Sequence, residues 1–158
     1  ETLWREDGVQ VSSMMSDTDA VALMLLREKA RGGNSRWQPF LDVLPRETIV
    51  TLKTLSDDEL KELQDADLEA KGRRARGELA SASKRTAETR RNVVRRACRE
   101  KKASRRPDDD AQAACELKWS GDAMYAWARS IVDSRALTFR GSKVLAPFAD
   151  LVNHAPQP

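Results

Sequence analysis

The sequence is poor in the residues that usually build reactive sites. Among 158 residues it has one histidine, His154, and one tyrosine, Tyr125. A single imidazole builds neither a metal cluster nor a triad, and no metal is assigned. The only cysteines, Cys98 and Cys115, lack the C-x-x-C spacing of a zinc or redox motif, which predicts two free thiols in a reducing compartment. No apolar run approaches the ~20 residues of a membrane span. The first residues, "ETLWREDGVQ", carry acidic charge where a secretory or transit leader has none. These absences predict a soluble, intracellular, monomeric protein without a membrane partner. The start on Glu1 rather than methionine leads us to expect a piece of a longer protein.

Charge is abundant but unevenly placed. The formal net charge is +3, yet residues 71 to 106 contain 15 Lys or Arg against three Glu, leaving the other 122 residues with 13 basic and 22 acidic groups. Two electrostatic territories share one chain.

Helical signals dominate the first half. "SDTDAVALMLLREKARGG" opens on the cap-type residues Ser16, Asp17 and Thr18, sets Val21, Met24 and Leu25 on one side, and stops at Gly32 and Gly33 behind Arg27, Lys29 and Arg31. "SRWQPFLDVLP" spaces Trp37, Phe40, Leu41 and Leu44 helically, with Pro39 tolerable only in a first turn and Pro45 ending the segment. In "SDDELKELQDADLEAKG", Ser56 and Glu59 stand in capping-box register ahead of Leu60, Leu63 and Leu68, which predicts a second, mostly solvated helix.

The basic stretch has helix-favouring alanine and arginine but only a thin apolar stripe of Leu79, Ala82, Val93, Val94 and Ala97, ahead of Pro107 and Asp108 to Asp110. It reads as a long exposed helix or a mobile arm, more simply a solvated face than a binding surface. Charge without aromatics could grip phosphates, but in a salt-sensitive way. Nucleic acid or an acidic protein is therefore the second class of partner.

"WSGDAMYAWARSIVDSRAL" places Met124, Trp127, Ala128, Ile131 and Val132 on one face behind a Ser120 cap, and should end near Ser134. "ALTFRGSKVLAPF" then predicts a hairpin of Ala136 to Phe139 and Lys143 to Ala146, turning at Gly141 and Ser142. Trp37, Trp119 and Trp127 read as core anchors, and Tyr125 as core or interface. Ser134 has no base at a plausible spacing and is not read as a hydrolytic nucleophile. By itself the cluster Asp150, Asn153, His154 is compatible with a capped turn.

The order of "LLREKARGGNSRWQPFLDVLP", the capped "LSDDELKELQDADL", "WARSIVDSRAL" and "VLAPFADLVNH" resembles the SET-domain methyltransferases of the Rubisco large-subunit and actin-histidine type. The resemblance covers residues 18 to 68 and 117 to 155. It implies an α+β fold, here a helix-rich fragment: residues 1–70 as the N-terminal helical part, 71–110 as a variable basic stretch, and 111–158 as the core segment with the cofactor pocket. It further implies S-adenosyl-L-methionine as cofactor and a protein substrate methylated on a lysine or histidine nitrogen. Within it, the Asn153 side chain and the His154 backbone would hold the cofactor, and Arg135 would reach the carboxylate of its methionine moiety. Main-chain oxygens of Ser134 and Asp150 would rim the transferred methyl and orient the incoming amine. The chain has no Gly-x-Gly and no tyrosine after His154, so the resemblance implies only the central part of such an enzyme.

Overall fold

The computed structural model describes residues 15–100 and 109–147. Asp150, Asn153 and His154, Pro107 and Asp108, and the basic residues Lys101, Lys102, Arg105 and Arg106 lie outside them. Six α-helices and a two-stranded antiparallel hairpin follow one another in the order α1 Asp17–Arg31, α2 Gln38–Val43, α3 Asp57–Glu62, α4 Ala66–Glu100, α5 Asp109–Ser120, α6 Asp122–Arg135, β1 Leu137–Phe139 and β2 Ser142–Val144. The helix-rich α+β character expected from the sequence is present among these residues.

Helix α1 is framed by its sequence signals. The Ser16 side chain accepts from Asp19 N at 3.1 Å, and the Gly32 cap has φ 55, a conformation glycine reaches without a Cβ clash. Its buried side is broader than the expected stripe: Ala22, Leu23, Leu25, Leu26 and Ala30 are buried, while Val21 and Met24 are half-buried. The reason is that α1 packs against α4, α5 and α6 and also touches β2 and α2. A helix enclosed on several sides hides more than one stripe.

The leucine segment splits in two. Ser56 and Glu59 do form the capping box of α3, but Gln64 takes φ 52 and breaks the chain before α4 begins. Leu60 is buried, against Gly72 of α4, where a Cβ would stand 2.4 Å from its Cδ2. Leu63 is exposed. Gly72 thus lets two helices approach at the cost of some helix propensity.

The basic stretch belongs to α4, a helix of 35 residues that runs through residues 70 and 71 without a break. Its inner side buries Ala82, Ser83, Thr86, Arg90, Val93, Val94, Ala97 and Cys98. One of the arginines is therefore structural. Arg90 Nε donates to Ser120 O at 2.8 Å, Nη1 to Ser83 Oγ at 2.9 Å and Nη2 to Asp122 Oδ1 at 2.7 Å, and its guanidinium lies 5.1 Å from the Tyr125 ring centre. It fastens α4 to the junction of α5 and α6.

Three expectations are corrected here. Cys98 and Cys115 are not free thiols: they form a disulfide between α4 and α5, with Cα atoms 6.0 Å apart. Their spacing suits no motif because the pairing is set by the packing of two helices. A reducing compartment no longer follows from them. Ser120 ends α5 instead of capping α6, whose N-cap is the extended Gly121. The hairpin turns at Arg140 and Gly141, with φ 50 and 82, pairing Phe139 with Ser142. This is the two-residue turn whose left-handed backbone matches strand twist. No helix among the described residues is long and apolar enough to cross a membrane.

Candidate functional site

Helix α6 carries the expected site residues at its C-terminal end. Ser134 Oγ donates to Ser130 O at 2.8 Å and to Ile131 O at 3.1 Å, so its hydroxyl is turned back on the helix. The ladder's final bond runs from Ala136 N to Val132 O at 2.9 Å. The Ser134 carbonyl thus lies past that bond, as an acceptor at a helix end. Ser134 is exposed, Arg135 is half-buried, and β1 begins two residues later. The structure brings Ser134 and Arg135 together through their helix turn. The other three expected site residues, Asp150, Asn153 and His154, lie outside the described residues.

The upstream segment docks on the same helix. Trp127 is buried and donates its indole N–H to Pro45 O at 2.8 Å, while Ile49 N donates to Ser130 Oγ at 3.1 Å. Lys29 adds a third tie: its ammonium donates to Leu41 O at 2.8 Å and sits 5.5 Å from the centre of the Trp127 ring. Burial pushes the Lys29 pKa below the usual lysine value, with Asp42 opposing that shift and Arg46 and Lys118 adding to it. Pro45 and Ile49 are thereby fastened to Trp127 and Ser130, residues far away in the sequence. Trp37 is not an anchor of this contact. It is 41% exposed at the N-cap of α2, and the inward side chains of this segment are Phe40, Leu41 and Leu44. Trp119 is half-buried, so only Trp127 is a full core anchor.

A second constellation escaped the sequence reading. Tyr125, fully buried, donates to Asp19 Oδ1 at 2.5 Å, Ser16 Oγ bonds Asp19 Oδ2 at 2.8 Å, and Arg129 pairs with the same Asp19 carboxylate. Arg129 also stands 3.8 Å from Asp133, which binds Lys53 at 2.7 Å. Burial pushes the Asp19 pKa up, but hydrogen bonds from Tyr125 and Ser16 and the Arg129 charge outweigh it and hold the carboxyl below its usual value. Burial, together with the Asp19 carboxylate, raises the Tyr125 phenol. Over this network opens a cleft of about 290 Å³ bordered by Ser16, Lys53, Leu79, Arg85 and Arg129. The only available sequence signal was the cap at Ser16, which placed Asp19 on the first turn. Nothing local pointed from Asp19 to residues more than 100 positions away.

A guanidinium such as that of Arg135 is the chemical complement of a carboxylate, and a main-chain oxygen such as that of Ser134 suits the electron-poor hydrogens of a sulfonium methyl. Among the described residues no cluster of His, Cys, Asp or Glu could hold a metal ion. No protein-family model matches the chain, and no curated protein or solved structure matches it.

Proposed function

We propose that this chain is the central part of a SET-type methyltransferase that moves a methyl group from S-adenosylmethionine to a lysine or histidine nitrogen of a protein. The observation that carries the reading is the meeting of the two segments that bear the resemblance: Trp127 bonds Pro45, and Ser130 bonds Ile49, across some 80 residues of sequence. In support, Ser134 and Arg135 end the helix that carries Trp127 and Ser130, and the hairpin follows directly after them. In this reading Arg135 and Asn153 hold the cofactor with the His154 backbone, and the main-chain oxygens of Ser134 and Asp150 orient the incoming amine. S-adenosylmethionine, when bound, supplies the activated methyl. The protein's part is positioning, which can account for several kcal/mol of a transfer barrier.

Isothermal titration of the protein with S-adenosylmethionine tests this. Arg135→Ala and Asn153→Ala should each weaken binding about tenfold or more, the worth of a charge-assisted or buried hydrogen bond. Ser134→Ala should leave affinity unchanged, because its role is carried by the main chain. Absence of binding, or equal affinity in all variants, contradicts the reading.

A further inference from the structure

The outward side of α4 is rich in cations. Lys71, Arg74, Lys84, Arg85, Arg91 and Arg99 are all exposed there, and among the described residues none of them makes an ion pair. At 3.6 residues per turn they occupy about 160° of the helix circumference, opposite the buried Ala82, Thr86, Arg90, Val93 and Ala97, and they extend over about 42 Å. Between Lys71 and Arg99 the only acids are Glu78 and Glu88. The remaining cations are committed: Arg73 pairs with Asp57 and Glu69, Arg76 with Asp57, Arg95 with Glu116, and Arg96 with Glu100. The helix is held in place by Arg90 and by the Cys98–Cys115 bond, so its outer charges are displayed on a fixed rod.

We infer that this face of α4 binds the phosphate backbone of a nucleic-acid duplex. Three observations select that occupant. The row sets six cations outside any ion pair against Glu78 and Glu88 on the same face, an excess of positive charge that is complementary to a polyanion. α4 contains no aromatic residue, so it offers no platform on which the bases of a single strand could stack. It also exposes no large apolar side chain, the anchor that an interface with a folded acidic protein would need. A duplex requires neither, since it presents one charge per ~1.7 Å of its axis and is bound through counterion release. Such binding reads charge and shape, and it carries no sequence preference.

Fluorescence anisotropy with a labelled DNA duplex of about 25 base pairs tests the inference. Binding at 50 mM salt should weaken about 10²- to 10³-fold at 200 mM, as expected for four to six phosphate contacts. The variant carrying Arg74→Gln, Lys84→Gln, Arg85→Gln and Arg91→Gln should lose most of that affinity and flatten the salt slope by about three to four units. Its helical circular dichroism and its titration with S-adenosylmethionine should stay as in the parent, because none of the four side chains bonds to another element. The inference is overturned by absent binding at 50 mM salt or by unchanged binding in the variant. Tighter binding of a single strand, or of an Asp/Glu-rich peptide of equal charge, also overturns it.

Discussion

Replacing Arg129 with methionine should destabilise the protein by about 3–5 kcal/mol, because it leaves the Asp19 carboxylate buried without its cation. Asp19 is 3% exposed, and its two oxygens are shared among Ser16, Tyr125 and Arg129. Asp19→Leu alone should cost less, because Arg129 keeps the Asp133 carboxylate 3.8 Å away. The double variant should lose much less than the sum, since removing both charges removes both desolvation penalties. Tyr125→Phe deletes one hydrogen bond and should cost about 1–2 kcal/mol. The pH dependence has a definite sign. Asp19 titrates lower in the folded protein than in the unfolded chain. Its contribution is thus fully present above about pH 5 and is lost as pH falls through the usual carboxylate range toward the lowered folded value. In Asp19→Leu that acid limb should shrink. Urea unfolding of the parent and the four variants between pH 7 and about pH 3 checks both statements, and additive losses or an unchanged acid limb would contradict them.

Reduction of the Cys98–Cys115 bond should be the second large effect. The bond closes a loop with a sequence separation of 17, and Cys98 is 1% exposed beside Val94 and Ala97. Loop-closure entropy for such a length is about 3 kcal/mol. In a chain of this size that corresponds to a fall in Tm of about 6–12 °C. The bond joins α4 to α5, so the ion pair between Arg95 and Glu116 should weaken with it. Differential scanning calorimetry with and without a phosphine reductant reads the shift, and the Cys98→Ala, Cys115→Ala double variant should melt like the reduced protein. Two titratable thiols in the untreated, denatured protein, or an unchanged Tm on reduction, would contradict it.

These two features show where the sequence stops being legible. Caps and punctuation act within a few residues, so Ser16, Gly32, and Ser56 with Glu59 mark real helix ends. The hairpin is likewise encoded by Arg140 and Gly141, found one position from where Gly141 and Ser142 had suggested. Side-chain periodicity found the buried face of α6 through Trp127, Ala128, Ile131 and Val132. Pairings across distance are another matter. Whether Cys98 meets Cys115, whether Arg90 turns inward among 15 cations, and whether Asp19 finds Arg129 all depend on how helices cross. The exposure of Trp37 has the same origin, since it stands ahead of the helix that carries Phe40 and Leu41 inward. For the site, Ser134 and Arg135 were legible as a helix-ending pair, and the contact of their helix with residues 45 to 49 appears only in three dimensions.

On the proposed reading, the end of α6 and the Asn-His segment form one wall of a pocket for S-adenosylmethionine. Ultraviolet cross-linking of the protein with methyl-labelled S-adenosylmethionine, followed by peptide mapping, tests it most directly. The account predicts label confined to the peptides carrying Ser134 and Arg135 and those carrying Asp150 to His154, abolished by excess unlabelled cofactor. Label on neither set, or label that excess cofactor does not displace, would contradict it.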